Sequence, residues 1–442
     1  MSFDVNSTRK RRPGGNPAIG FNESWYFHSM GDVPAHPPLE QDESVDVCVI
    51  GGGYTGLSAA IELSKKGYSV RVLEAHEIGS GASGRNGGVL GMGQRKDQEE
   101  LEKWLGKDTA KTMWKIACEA NSLVRNRVEE YDIDCDLRDG ELIAAHRKRY
   151  EKELWEYADY LSEEYDYHDR RNVTEQEVHD IMGVDTLFGG CVDSNAGHVH
   201  PLKLAKGLAR AAVSHGAVLH EHSRVTGYQQ RADKVEVTTD KATVKARFLV
   251  VACNGYLGNF DKDIARYQMP INNFVLATEP LGEKRGRQIN RDNLAVVDTR
   301  FVVNYFHNSP DHRLIFGGGE NYSSRFPHDL KQFVRGHMLE VYPNLDDVAI
   351  DFAWGGTLAI TLKRMPHFGR KGDNVYWAQG YSGHGIAMAN MGGKLVAEAI
   401  MQQSERFDLF ANLKHQSFPG GALLRWPGLV AGMLYYSMLD KF

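Results

Sequence analysis

The amino-acid sequence predicts an α/β protein in which an α+β, mixed-sheet domain is inserted into a discontinuous nucleotide-type domain. Three observations lead to this. A strand, a glycine turn, a helix and a second strand follow one another between Val45 and Leu73. Helix and strand signals of the same kind return near 201–252 and again near 374–401. Between those returns, residues 266–351 are patterned differently, with β-rich runs such as FVLAT and RFVVNYF and the turn-forming Gly317, Gly318 and Gly319.

Residues 1–40 carry several Pro and Gly and little hydrophobic period, which predicts an irregular arm, laid over the surface or partly disordered. Val45–Ile50 is a short apolar run suited to a buried parallel strand, and it stops at Gly51. Leu57, Ala60, Ile61 and Ser64 then recur at helical spacing, and Gly67 is placed to cap that helix. Tyr68–Leu73 closes the unit as a second strand. Asp97–Tyr131 and Arg147–Glu164 are long, charged and helix-like, and are assigned to a cap. Pro201 opens a helix with Leu202, Ala205, Leu208 and Ala209 on one face, followed by a strand through Val218 and Leu219. Val235–Ala252 reads as a hairpin running into a buried strand, Asn374–Ala378 as a strand and Gly385–Met401 as a helix. The resulting division is a Rossmann-like domain from 41–96, 190–265 and 352–420, a substrate or cap domain from 97–189 and 266–351, the arm, and an apolar tail at 421–442.

With 442 residues and 42% hydrophobic content, the chain can bury a large core or two coupled ones. Its formal charge of -6 leaves no excess positive field for nucleic acid or an anionic membrane, a balance that fits a soluble enzyme. The five cysteines, Cys48, Cys118, Cys135, Cys191 and Cys253, form no CxxC pair and no His-accompanied cluster, which predicts free thiols and no metal site. The basic run Arg9–Arg12 is followed by Pro13, Gly14 and Gly15 rather than an apolar stretch, so a cytoplasmic location is expected rather than export. No stretch reaches the roughly 20 apolar residues of a membrane span. The fairly apolar Trp426–Leu439 is expected to pack on the body of the protein.

Gly51, Gly53 and Gly56 in GGGYTG form GxGxxG directly between strand and helix, the context that makes an otherwise weak pattern meaningful. The first glycine allows the tight turn, the second lets backbone approach a pyrophosphate, and the third lets the helix pack on the strand. N–H groups at the helix start then face the phosphates. Glu74 ends the second strand roughly 20 residues on, where an acid accepts hydrogen bonds from an adenosine ribose and disfavours a 2′-phosphate. A glycine turn without nucleotide is the bland alternative; the flanking strand, the helix and Glu74 weigh against it. NAD and FAD both use such a unit, and both fit at this point.

Directly after Glu74 comes AHEIGSGASGRNGGVLGMG, far richer in glycine than a plain dehydrogenase needs there. Together with the opening motif, GYSGHGIAMANMGGKLVAEAI, RMPHFGR, SERFDLFANL and FPGG, this run makes the chain from about Asp46 onward resemble the D-amino-acid-oxidase-like family of FAD enzymes. The resemblance implies FAD held by Gly51, Gly53, Tyr54, Thr55, Gly56, Glu74 and Ala75. It places Ala82, Ser83, Arg85, Asn86, Gly87, Gly88 and Val89 beneath the pyrophosphate and flavin, the Val225 backbone at the adenine, and Cys253–Gly255 close to the dinucleotide. Gly383, His384, Gly385 and Ile386 are implied at the pyrimidine side of the ring, just where a helix begins. A helix N-terminus stabilises negative charge developing there, and a cationic or hydrogen-bonding His384 would add to it. No cysteine falls in a motif matched to covalent attachment, so a dissociable, non-covalent FAD is expected.

The activity implied is oxidative deamination of gamma-glutamylputrescine or a similar primary amine to aldehyde, ammonia and hydrogen peroxide, with O2 as acceptor. Such chemistry requires a neutral amine, exclusion of water and no strong counter-ion for ammonium. Tyr305, Phe306, Trp354 and Tyr381 lie in segments expected to wall the ring, and each could equally be core. A cation would favour the superoxide-like charge formed with oxygen. Arg313 is the candidate, with Lys363 or Arg364 the alternative. Catalytic roles are therefore assigned to His384, Arg313, Tyr381 and Trp354. Two other readings stay open: an oxidase or dehydrogenase of a secondary amine or amino acid of the sarcosine or glycine type, and a flavoprotein that modifies a partner protein through its apolar tail.

Overall fold

The computed structural model describes residues 21–321 and 326–418; the expected apolar tail at 421–442 lies outside the described residues. The apolar run ending at Ile50 forms the strand Glu43–Ile50, paired in parallel with Val70–Leu73 on one side and Thr243–Val251 on the other. The sheet continues to Val218–His220 at one edge and through the parallel Val375–Gln379 to the antiparallel His367–Lys371 at the other. Both faces of this strand are covered, Val47 and Val49 packing in one cluster and Cys48 and Ile50 in another, so successive positions are apolar. Helices Tyr54–Lys65, Pro201–Ser214 and Gly385–Ile400 contribute to one continuous core against this sheet. Gly67 adopts a φ of +83° just past the end of the first of them, the left-handed conformation that lets a helix stop.

The helix Lys107–Glu130, expected in the cap, belongs to that same layer. Ala110, Met113, Ala117, Ala120 and Val124 are buried in its core, a helical stripe that the charged composition of the segment masks. Its buried Arg127 donates to Glu62 at 2.7 Å, to the Ser58 hydroxyl at 2.8 Å and to Asn390 Oδ1 at 3.0 Å, tying three helices together. By contrast Arg149–Tyr165 does lie on the second sheet, where the Trp155 indole donates to the Gly190 carbonyl at 2.9 Å.

The second sheet runs in the order Ile350–Ile360, Met269–Thr278, Leu314–Asn321, Tyr305–Asn308, Ala295–Asp298, Arg138–Ala144, Gly190–His198 and Val89–Leu90, with Arg170–Val173 also paired to Gly190–His198. Three of these strands fall in ranges the sequence assigned to the nucleotide half. Val89–Leu90 and Gly190–His198 pair with each other, and Ile350–Ile360 pairs along its length with Met269–Thr278. Their membership is set by partners distant in sequence, which local pattern does not report.

The arm also differs from expectation over its described part. Ser24 caps the short helix Trp25–Ser29 by accepting from the Phe27 N–H, and Tyr26 is fully buried, edge-on to His200 and Trp354 with ring centroids at 4.8 and 5.2 Å. Further along, the His36 and Leu39 N–H groups donate to Glu221 and Ser223. The described part of the arm packs into the core through Phe21, Trp25 and Tyr26, an aromatic cluster too short to show a period in the sequence. Tyr26→Ala is expected to destabilise the fold by roughly 3–5 kcal/mol in denaturant unfolding. Tyr26→Phe is expected to cost nothing by the same measurement, since the Tyr26 hydroxyl has no hydrogen-bond partner among the described residues.

Candidate active site

The carboxyl ends of the parallel strands, at Ile50, Leu73 and Ala252, open onto a cavity of about 2010 Å³ closed on its other side by the second sheet. Ligands of open α/β sheets bind at this end of the strands. The volume exceeds the roughly 300–1,000 Å³ of a site for one small molecule, leaving room for a dinucleotide and a substrate.

At the nucleotide end, Gly51 turns with a φ of +110°, and a Cβ on Gly56 would stand 2.0 Å from the Gly51 carbonyl oxygen. Helix Tyr54–Lys65 therefore starts hard against the strand end, with Gly53, which has no side chain to cap it, at its N-cap. The Tyr54 N–H donates to the Ser83 hydroxyl at 3.0 Å, and a Cβ on Gly53 would lie 2.8 Å from that same oxygen, so the glycine-rich segment folds directly over the turn. Asn86 holds that segment in shape by donating to the carbonyls of Ala82 and Ser83 and accepting from the Gly88 N–H. Glu74 accepts from the N–H groups of Gly52 at 2.8 Å and His76 at 3.0 Å. Burial raises its pKa and these bonds oppose the rise.

Of the residues expected at the cofactor, Gly51, Gly53, Tyr54, Thr55, Glu74 and Ala75 line the cavity, as do Ala82, Ser83, Arg85, Asn86, Gly87 and Val89. Val225, Gly383, Gly385 and Ile386 line it from other parts of the chain. Gly56, Gly88 and Gly255 do not. Each faces backbone instead, Gly88 the Val199 carbonyl and Gly255 the Thr357 carbonyl, where they permit close packing.

Two expected catalytic residues are corrected. Arg313 lies outside the cavity, paired with Asp311 at 2.6 Å and Asp351 at 2.5 Å, because it stands at the opposite end of the strand Leu314–Asn321 from Glu320, which lines the cavity. Trp354 is fully buried behind the cavity wall, where its indole N–H donates to the Arg85 carbonyl at 3.1 Å and so supports the glycine-rich segment. Phe306 is core, stacked on Phe316, and Lys363 covers Trp104 rather than entering the cavity. Tyr305, Tyr381 and Arg364 do line it. Tyr381 shares a 2.7 Å hydrogen bond with the Thr55 hydroxyl, and the Tyr305 ring presses on Gly87 and Gly317, with its hydroxyl donating to Asn273.

His384 is the N-cap of helix Gly385–Ile400 and lines the cavity, and its Nε2 is buried without a partner among the described residues. Burial, and then the positive charge of Arg95, lowers its pKa to about 4 against the opposing carbonyls of Met92 and Gly91. The imidazole is therefore neutral at pH 7, which removes the cationic role considered for it and leaves the hydrogen-bonding one.

Glu141 escaped the sequence reading. It sits on Arg138–Ala144 with Ile143, two residues on, lining the same cavity, while Leu142 between them faces the core of the substrate domain. The register shifts at Gly140, whose φ is +95°, and this bulge aims the side chain. Glu141 keeps only 5% of its accessible surface, and no described residue hydrogen-bonds or ion-pairs with its carboxylate. Both oxygens lie 3.5 Å from where a Cβ on Gly91 would stand, and His384 Cε1 lies 3.0 Å from that same point. Burial, and then the neighbouring Asp193 carboxylate, raises the Glu141 pKa to about 7, with Arg170 opposing. A glutamate after glycine within the apolar run GELIA was the available signal.

Such a site, on such a fold, defines a flavoprotein oxidoreductase. The chain belongs to the family of FAD dependent oxidoreductases, whose DAO family model matches residues 46–399. It is 40% identical over 425 residues to the gamma-glutamylputrescine oxidoreductase of Escherichia coli strain K12, covering 95% of this chain and 98% of that one. Among solved structures, glycine oxidase from Geobacillus kaustophilus superposes with a TM-score of 0.72 at 20% identity, covering 85% of this chain and 100% of that one. L-proline dehydrogenase from P. horikoshii superposes with a TM-score of 0.68 at 24% identity, covering 82% and 94%. The protein is an FAD-dependent oxidoreductase acting on C–N bonds.

The residues present fit FAD: a helix start over a glycine cradle, a cavity-lining carboxylate, Glu74, at the end of the second strand, and an imidazole nitrogen without a partner among the described residues at a second helix start. Among the described residues there is no cluster of three or more metal-ligating side chains and no helix long and apolar enough to cross a membrane. Gly53→Ala is expected to weaken FAD binding to the apoprotein about 10- to 100-fold in a fluorescence titration, because the added methyl group meets Ser83 and fills the pyrophosphate approach. The cavity cysteine, Cys253, has its thiol pushed up to about 12 by burial and then by Glu74, so it stays protonated and unreactive at neutral pH. Acid precipitation of the holoprotein is expected to leave FAD in the supernatant; a yellow pellet would contradict this.

Proposed function

We propose that this protein oxidatively deaminates gamma-glutamylputrescine, or a similar primary amine, to an aldehyde, ammonia and hydrogen peroxide. The near full-length relation to the E. coli gamma-glutamylputrescine oxidoreductase carries this reading. The charges in the cavity support it. Amino acids and glycine-type secondary amines bring a carboxylate that calls for an available cation. Of the cavity arginines, Arg170 and Arg300 are each ion-paired with a buried aspartate, Asp193 and Asp298 respectively, which leaves Arg95 and Arg364 as the cations that a substrate carboxylate would have to use. The unpaired Glu141 further disfavours a second carboxylate beside it.

Tyr305, Tyr381, Phe326 and Trp114 line the cavity as apolar surface that excludes water from the reacting amine. When bound, FAD supplies the two-electron acceptor for the α C–H of the amine. The imine that results is hydrolysed by water to aldehyde and ammonia. Of the three cations considered for the oxygen step, Arg364 is the one that lines the cavity, and it takes that role here.

The similarity in fold to glycine oxidase favours the second reading, an amino acid or secondary amine substrate. Anaerobic mixing of the yellow holoprotein with gamma-glutamylputrescine, simple primary amines, glycine and sarcosine separates the two. Loss of flavin absorbance is expected with the first two groups and not with the carboxylated pair. Faster bleaching by glycine or sarcosine would reverse the assignment. Oxygen uptake with matching peroxide formation tests the acceptor.

A further inference from the structure

We infer that Glu141 is the base that takes the proton from the substrate ammonium group as the amine enters the cavity. This rests on the amine-oxidase reading above and adds a residue to it. An alkylamine arrives protonated from water at neutral pH, whereas oxidation needs the nitrogen lone pair. Some group in the cavity must therefore accept that proton or let it escape to solvent. The step is R–CH2–NH3+ with the Glu141 carboxylate giving R–CH2–NH2 and the Glu141 carboxylic acid. One N–H bond breaks, its electron pair stays on nitrogen, one O–H bond forms, and nothing is oxidised.

The groups facing Glu141 leave it as the acceptor. Asp193, directly across the strand pair, is committed: it accepts from the Tyr167 hydroxyl at 2.7 Å and the Asn195 N–H at 3.1 Å and is ion-paired with Arg170 at 3.0 Å. His384, which borders the same point beside Gly91, cannot hold a proton near neutral pH, since burial and Arg95 disfavour its charged form. Of these three, Glu141 is the cavity-lining group that combines burial and the lack of any bond from a described residue with a proton affinity in the neutral range.

A carboxylate there does not trap the ammonium as an ion pair. Removing both charges from water costs each of them hydration, which narrows the advantage that the ion pair holds over the neutral pair. With the Glu141 carboxylate already disfavoured by burial and by Asp193, the neutral acid and neutral amine come within reach of each other. The sequence-based expectation of no counter-ion is thus replaced by a counter-ion that can give up its charge.

The test uses holoprotein and tert-butylamine, which has no α C–H and cannot be oxidised. Calorimetric titration in two buffers of different ionisation enthalpy, at about pH 8 where Glu141 is largely deprotonated, counts the protons exchanged on binding. The wild-type protein is expected to bind the ammonium with no net release, because the proton stays inside as the Glu141 acid. Glu141→Gln is expected to bind at least about 10-fold more weakly and to release one proton per amine. In turnover, kcat/KM of Glu141→Gln falls roughly 10²–10⁴-fold. The wild-type rise in kcat/KM as pH increases through about 7 disappears in that variant. Glu141→Ala recovers part of its activity with added acetate.

Release of one proton by the wild-type protein overturns the inference, and that measurement needs no variant to fold. So does an unchanged proton count and pH profile in Glu141→Gln with full FAD content. If no amine bleaches the wild-type flavin anaerobically, the amine-oxidase reading itself falls and Glu141 with it. Bleaching of wild type and Glu141→Gln at equal rates across pH sinks the base alone.

Discussion

Gly56 approaches the Gly51 carbonyl so closely that any side chain there would collide with it, and the arrangement of the cavity depends on that contact. With it, helix Tyr54–Lys65 begins at the end of the strand Glu43–Ile50, and its first residues, Tyr54 and Thr55, line the cavity. A second contact of the same kind follows. Gly393 would place a Cβ 2.2 Å from the Thr55 carbonyl, so helix Gly385–Ile400 packs on the first helix and delivers its own start, at His384, to the same space. Two helix N-termini converge on one cavity, and each favours negative charge. A cofactor carrying phosphates at one end and an electron-accepting ring at the other suits that pair of poles.

The walls are held from behind by groups that never reach the cofactor space. Trp354 supports the Arg85 carbonyl, Tyr26 of the arm packs on Trp354, and Asn86 ties the glycine-rich segment to itself. Gly87 and Gly317 leave a slot for the Tyr305 ring, which explains why a glycine in a β-rich strand and one in the glycine run are needed together. These supports are close-packed, so small displacements in any of them reach the backbone that lines the cavity.

Charge is managed with equal economy. Arg170 and Arg300 are matched by buried aspartates, His384 is neutral, and the Arg127 guanidinium is spent on Glu62 and two helix partners. Beside His384 stands Glu141, a carboxylate without a bond from any described residue, in a setting that resists its ionisation. The proposed preference for an amine without an adjacent carboxylate rests on Glu141 rather than on the paired arginines.

The nucleotide-binding turn was legible from sequence because its geometry is local: Gly51, Gly53, Gly56 and Glu74 sit within two strands and a helix that succeed one another directly. The glycine run from Ser80 to Val89 was legible for the same reason, since its composition alone excludes an ordinary packed element. Strand membership at Gly190–His198 and Ile350–Ile360, the burial of helix Lys107–Glu130 and the places of Arg313 and Trp354 were not. Each is fixed by pairing or packing with residues far along the chain. Glu141 shows the difference most sharply. By its own sequence it is a glutamate in a short strand, and only the bulge at Gly140, the neighbouring Asp193 and the enclosure by two sheets turn it into an unpaired carboxylate at the reacting end, because desolvation and Coulomb interactions act through space and not along the chain.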